Sequence, residues 1–301
     1  MTENKMTHDS LISVGCSLMY GSDHSGTSGN TRPSDQAYTN LVAKHYDLTH
    51  YNFAYPGTSN QHIGKQVFVA TKFAQENNLK PIFWLAWTKY THLGLTHMAS
   101  TNISHNWPHV DVQNELINSS HNKDIQKWSK GVYRSLDRFS RFMLSVNTIM
   151  QTNLMLEKEG FEAINTFNSE TWKTACKKST YYIKDLREPK ESLLDDWLET
   201  KKTSISAKHI RNGVMAGVSG ERFESFDPYV SELWSYMKSF KWHEWGDANL
   251  GFQLWARNNG FPCYKDFHSS IIDNPSFWHP GEEAHQAASE MIINSKIIEN
   301  L

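Results

Sequence analysis

Leu11-Ile12-Ser13-Val14-Gly15-Cys16-Ser17-Leu18 is the stretch on which the reading of this chain turns. Its first half is a short, mostly apolar run of the length expected for a buried strand. Its second half puts two small residues and a hydroxyl at the end of that strand. A polar stretch rich in glycine and serine, Gly21 to Ser34, comes next. A serine at the mouth of a buried strand is how an α/β fold exposes a nucleophile. The same pattern occurs in ordinary turns, where Ser17 would only cap a helix. Two distant segments, residues 52–60 and 279–285, favour the first reading because they hold what a reactive serine needs.

Outward from this stretch the chain alternates between two periodicities. Ser34 to His45 reads as a helix capped by Ser34, with Ala37, Leu41 and Val42 at helical spacing. Leu48 to Phe53 reads as a second strand. Pro56-Gly57-Thr58-Ser59 is a turn whose Thr58 or Ser59 caps a helix running to about Asn77. Pro81 to Trp87 is continuously apolar, as in a strand covered on both faces. Residues 88–122 read as loop. Lys123 to Glu159 has the three-to-four spacing of a long helix (Trp128, Val132, Leu136, Phe139, Val146, Ile149), stopped by Gly160. Phe161 to Phe167 is a fourth strand. Strands and helices in this order imply a parallel sheet with right-handed crossovers. Pro280 to about Ile298 reads as the last helix, with Pro280 in its first turn and Glu282 and Glu283 complementing the dipole. Residues 168–262 do not repeat the unit and read as a mostly helical insertion or subdomain. Residues 1–301 are taken as a single domain.

Composition narrows the function. With 301 residues, 39% hydrophobic and 13% aromatic, the chain buries a large core. Thirty basic against 32 acidic residues, a net charge of −2, offers nucleic acid no electrostatic footprint. Cys16, Cys176 and Cys263 are too few and too scattered for a disulfide framework or a zinc site of paired cysteines. Met1 to Ser10 lacks an apolar signal-peptide core, and no stretch nears the roughly 20 apolar residues of a membrane span. A cytoplasmic location is therefore expected. His92, His97, His105 and His109 cluster in one loop region but lack the His-Glu-x-x-His spacing of a helical zinc site. Gly213, Gly217 and Gly220 lack the following lysine of a phosphate loop. Neither a metal nor a cofactor is expected. Trp242, Trp245 and Trp255 read as packing residues.

Ligands bind parallel sheets beyond the carboxyl ends of the strands. Ser17, Gly57 and Trp87-Thr88 all follow predicted strands and should share one rim, to which His279, just before the last helix, returns. A serine hydroxyl needs a base, and His279 fills that role. Asp273 is the nearest upstream acid that would hold the imidazole. The Ser17 and Gly57 N–H groups, with the Asn60 side chain, would receive an oxyanion. Cys16 reads as a buried small residue, with a thiol nucleophile as the alternative. His285 reads as structural, bonding back to a loop.

These blocks resemble those of the SGNH (GDSL-type) hydrolases. Gly15-Cys16-Ser17-Leu18 is similar to the family's Gly-Asp-Ser-Leu, with Cys16 in place of the aspartate. Asn52 to Asn60 resembles the second block, whose glycine is Gly57 here. His279-Pro280, followed by Ala284-His285, resembles the last block. The third-block asparagine has no counterpart in Leu85-Ala86-Trp87-Thr88, which leaves its donor role to Asn60 or Thr88. Ser276 stands where the last block has an aspartate, which leaves Asp273, six residues before the histidine, as the orienter. The resemblance implies a flavodoxin-like three-layer α/β/α sandwich with a central parallel sheet. It also implies a cofactor-free serine esterase acting on a small-molecule or glycan ester, its acyl group carried by a sugar or a lipid. A catalytically inactive binding or structural protein of the same fold is the alternative.

Overall fold

The computed structural model describes residues 7–21, 33–89, 93–95, 110–112, 127, 138–168, 236–237, 239–246, 251–265 and 278–301. Its elements, in chain order, begin with β1 (Ser10–Val14), α1 (Ser17–Tyr20), α2 (Tyr38–His45), β2 (Thr49–Asn52), α3 (Asn60–Glu76) and β3 (Pro81–Trp87). There follow β4 (Leu93–Leu95), β5 (Val110–Val112), α4 (Arg138–Lys158) and β6 (Glu162–Phe167). The last are α5 (Phe252–Asn258), β7 (Cys263–Lys265), β8 (Trp278–Pro280) and α6 (Glu282–Ser295).

Four strands pair in the order β2-β1-β3-β6, all parallel. A fifth position exists as a single parallel bridge, Asn165 with Trp242. There Asn165 donates its N–H to Lys241 O and accepts one from His243, both at 2.8 Å. Counting that bridge, the order is the flavodoxin-like one, 2-1-3-4-5, whose ligand crevice lies at the switch point between the first and third strands.

Alternation along the strands builds two cores. Leu11, Trp84, Ala86 and Ile164 face α2, α5 and α6, where they meet Tyr38, Val42, Phe252, Trp255, Ala284 and Ala288. Ile12, Val14, Phe83, Leu85 and Trp87 face α3 and α4, where they meet Ile63, Val67, Ala70, Val146 and Ile149. All seven residues of β3 are buried, as its unbroken apolar run requires. Between α3 and α4 the approach is close at Gly64, where an added Cβ would lie 2.8 Å from Thr148 Cγ2.

Several sequence expectations need correction. Ser34 does not cap α2; its hydroxyl accepts the Gln36 N–H at 3.1 Å in the preceding turn. The helix starts at Tyr38, behind Ala37, which makes no side-chain cap. His285 on α6 supplies the missing acceptor, its Nδ1 taking the Tyr38 N–H at 3.1 Å. Pro280 is not in the first turn of α6 but ends β8, opposite Cys263; Gly281 is the cap and Glu282 and Glu283 the first turn. Within the stretch read as loop, β4 and β5 pair antiparallel. Of residues 168–262, the described parts join the main body: 241–243 at the sheet edge, α5 against the core. His92, His97, His105, His109, Cys176 and the Gly213–Gly220 region lie outside the described residues. Among the described residues, no helix is long and apolar enough to cross a membrane.

A buried amide network locks β6 to its neighbours. Asn165 Oδ1 accepts Trp87 Nε1–H at 2.8 Å and Asn153 Nδ2–H at 3.1 Å. Its Nδ2 donates to Asn153 Oδ1 at 2.8 Å and to Lys241 O at 3.2 Å. Removing the central amide strands several buried partners, each worth about 1–3 kcal/mol when unsatisfied. Asn165→Leu should therefore lower unfolding free energy by about 2–4 kcal/mol in urea titrations, with the m-value unchanged.

Two histidines are kept neutral. His243 packs on Trp84 and Trp245 (ring centroids 5.5 and 4.6 Å), and burial pushes its pKa down to about 4. His50 Nε2 lies 2.9 Å from Ser13 Oγ, and its pKa also falls to about 4, first through burial and then through Lys44. Since an unfolded histidine titrates near 6.5, the unfolded chain takes up protons first as pH drops. The stabilising effect is complete above about pH 6.5 and is lost progressively towards about pH 4. The urea midpoint should fall across that window, and His243→Phe should make the fall shallower.

Candidate active site

Gly15 is the joint on which the site is built. It follows β1, and a Cβ there would lie 3.0 Å from both Ala86 O and Met19 Cβ. A larger side chain would force these neighbours to shift. The Gly15 carbonyl then gathers the next rim segment, accepting the Tyr55 N–H at 3.0 Å and the Thr58 hydroxyl at 3.2 Å. The turn that contains Gly57 is thereby tied directly to the end of β1. Gly57 has φ +77° with open space around it, so backbone conformation and not crowding favours glycine there.

Cys16 is the cap of α1, extended at φ −98° and ψ −163°, and its carbonyl receives the Met19 and Tyr20 N–H groups at 3.0 Å each. Ser17 is the first helical residue, a position whose N–H finds no partner within the helix. Gly21, at φ 73°, ends this single turn. The Ser17 side chain does not cap. Its Oγ lies 2.8 Å from His279 Nε2, across 262 residues of sequence.

His279 is 5% exposed and stands in the middle of β8, paired with Tyr264 of β7. The ribbon is tied down beyond it by the Gly281 N–H, which donates to Pro262 O at 2.8 Å. Gly281 packs tightly here too, since a Cβ would lie 2.7 Å from Tyr264 Cε2 and the exposed tyrosine ring would have to swing aside. The imidazole thus sits on a short antiparallel ribbon, where the sequence suggested a bare loop.

Asn60, the first residue of α3 behind the Ser59 cap, is fully buried. Its Oδ1 accepts the Thr88 N–H at 2.9 Å and its Nδ2 donates to Thr88 O at 3.2 Å. This pair of bonds fastens the start of α3 to the end of β3, and leaves one Nδ2 hydrogen beyond them. Asp273 lies outside the described residues. Cys16 is buried, and burial pushes its thiol pKa up against the opposing pull of the Leu18 amide and of Asn168, Thr88 and Ser17. It is a protonated, enclosed thiol and not an activated nucleophile. His285 is 1% exposed, stacked on Tyr38 and committed to its N–H, a structural role.

Sequence reasoning missed Asn168, the residue after β6. Its Nδ2 reaches Cys16 Sγ and Ala86 O, each at 3.4 Å. A polar residue just past a strand that ends on the same rim was the available signal. Among the described residues, no three His, Cys, Asp or Glu side chains gather as a metal site would need.

Ser17 and His279 are therefore in proton-transfer contact, with the Gly57 turn and the Asn60–Thr88 clasp on adjoining segments of one rim. No family model matches the chain, and no curated protein sequence matches it. Among solved structures, a lipase/acylhydrolase from Enterococcus faecalis aligns over 96% of this chain and 95% of its own, at 8% identity and a TM-score of 0.34.

The crowding at Gly15 gives a direct test. Gly15→Ala must push β1 from Ala86 or displace Met19, an overpacking cost of about 1–3 kcal/mol. Chemical denaturation should register a loss of that size, whereas Gly260→Ala, in open space but at φ +76°, should cost only the backbone strain of about 1–2 kcal/mol.

Proposed function

We propose that this protein is a serine-dependent ester hydrolase of SGNH type, working by acyl transfer to Ser17 and then to water. The observation that carries this reading is the 2.8 Å contact between Ser17 Oγ and His279 Nε2. That is the distance at which a general base takes the hydroxyl proton as the oxygen attacks. For this step Nε2 must accept, so the ring proton sits on Nδ1. Asp273 is assigned to hold it, on the strength of its place in the sequence alone.

The steps balance as follows. Ser17 Oγ bonds to the ester carbonyl carbon while its proton passes to His279 Nε2. The carbonyl oxygen becomes an oxyanion, for which the Ser17 and Gly57 N–H groups and the remaining Asn60 N–H are the proposed donors. The tetrahedral centre collapses, the C–O bond to the alcohol breaks, and His279 returns its proton to the departing oxygen. Water then attacks the acyl-serine with His279 as base, releasing the acid and restoring the hydroxyl. No cofactor enters. The proposed substrates are small-molecule or glycan esters, with the acyl group on a carbohydrate or a lipid.

A fluorophosphonate probe tests the reading. It should label the protein on Ser17, and Ser17→Ala should abolish labelling. Hydrolysis of p-nitrophenyl acetate should drop by about 10³-fold or more in Ser17→Ala and in His279→Ala, with thermal midpoints near that of the parent. Asp273→Asn should slow turnover less. A parent protein that takes no label and turns over no ester would instead be an inactive binding protein of this fold.

A further inference from the structure

We infer that Asn168 is a positioning residue for the nucleophile, acting through Cys16; the inference rests on the hydrolase reading for its catalytic consequence. Asn168 is fully buried and its backbone is held on both sides. Its N–H donates to Trp87 O and its carbonyl accepts the Gln253 N–H, each at 2.9 Å. It therefore ties the end of β3 to the start of α5, and its side chain projects from a fixed base. That side chain spans the seam between β3 and the nucleophile turn, with Nδ2 at 3.4 Å from both Ala86 O and Cys16 Sγ. The amide orientation is dictated, because Ala86 O only accepts, so the NH₂ end must face it.

The arrangement carries a cost. Among the described residues, Asn168 Oδ1 is buried without a hydrogen-bond partner, and an unsatisfied buried acceptor is something that packing alone would select against. What it secures is the sulfur next to Ser17. Cys16 lies in contact with Asn168, Thr88 and the Leu18 amide, and its own carbonyl anchors the one turn that carries Ser17. That turn is only four residues long, too short to fix its own direction, so the contacts of the Cys16 sulfur have to orient it. Asn168 supplies the external hold. Without it the Ser17 hydroxyl can drift from the imidazole, and a displacement of about 1 Å costs about 10²-fold in rate.

The test is a double-mutant cycle with two readouts. Asn168→Ala and Cys16→Ala should each lower kcat on p-nitrophenyl acetate by tenfold to a hundredfold, with KM within about twofold of the parent. The double variant should be no slower than the worse single, and Cys16→Ser, which keeps an acceptor, should recover most of the rate. Amide hydrogen exchange, which needs no activity, should speed up in Asn168→Ala at Met19 and Tyr20, whose N–H groups bond the Cys16 carbonyl. An unchanged kcat, effects that multiply in the double variant, or unaltered exchange at Met19 and Tyr20 would each overturn the inference. A parent that fails to label with fluorophosphonate would sink the hydrolase reading instead, and the exchange result would still decide whether Asn168 holds the turn.

Discussion

Gly15 and Ala86 approach so closely that a Cβ at position 15 would lie 3.0 Å from the Ala86 carbonyl oxygen, and its neighbours would have to give way. Much of the candidate site follows from that closeness. Because β1 and β3 run this near to each other at their carboxyl ends, the chain leaving β1 must turn at once. The turn is α1, with Ser17 at its first position. The same closeness leaves the Gly15 carbonyl free to take Tyr55 and Thr58, which draws in the Gly57 turn. One backbone contact thus sets the direction of the hydroxyl and the location of a neighbouring N–H.

The parallel sheet supplies the rest by topology. All its carboxyl ends lie on one side, so residues far apart in sequence meet there without long-range design of each contact. Thr88 after β3 meets Asn60, and Asn168 after β6 meets Cys16. His279 arrives differently. It is carried by the β7–β8 ribbon, which is outside the main sheet, and its place depends on the close packing of Gly281 and Tyr264. The imidazole is therefore positioned by a small ribbon outside the sheet, packed on α1, α5 and α6, whereas the serine is positioned by the end of a sheet strand.

What could be read from the chain beforehand depended on whether the cause was local. The strand at Pro81–Trp87 was legible because burial on both faces leaves an unbroken apolar run. The Ser59 cap was legible because a cap acts over three residues, here to the His62 N–H at 3.3 Å. The start of α2 was not, because its acceptor is His285, 247 residues away. The fifth sheet position was not, because Lys241-Trp242-His243 is a single bridge with neither an apolar run nor a clean alternation. In the site, Ser17 and His279 were legible from their neighbours, a strand end and a helix start. Asn168 was marked only by its place just past a strand, which puts it on the rim but does not name a partner 152 residues earlier. The described residues do not include Asp273, so its role still rests on sequence position.

Among the described residues, the groups that hold the Ser17 turn in place are uncharged. Cys16 is kept protonated by burial, and the clasps around it come from amides, a hydroxyl and backbone groups. Neutral hydrogen bonds contribute only about 0.5–1.5 kcal/mol each, so no single one fixes the turn. Their number, and the close packing at Gly15 and Gly281, do so together. A carboxylate at Cys16 would bring stronger bonds to the same donors but would have to be desolvated in a fully enclosed position. A thiol accepts weaker bonds and avoids that penalty. Among the described residues, the floor beneath Ser17 is thus built of neutral groups, with His279 Nε2 2.8 Å from the hydroxyl above it.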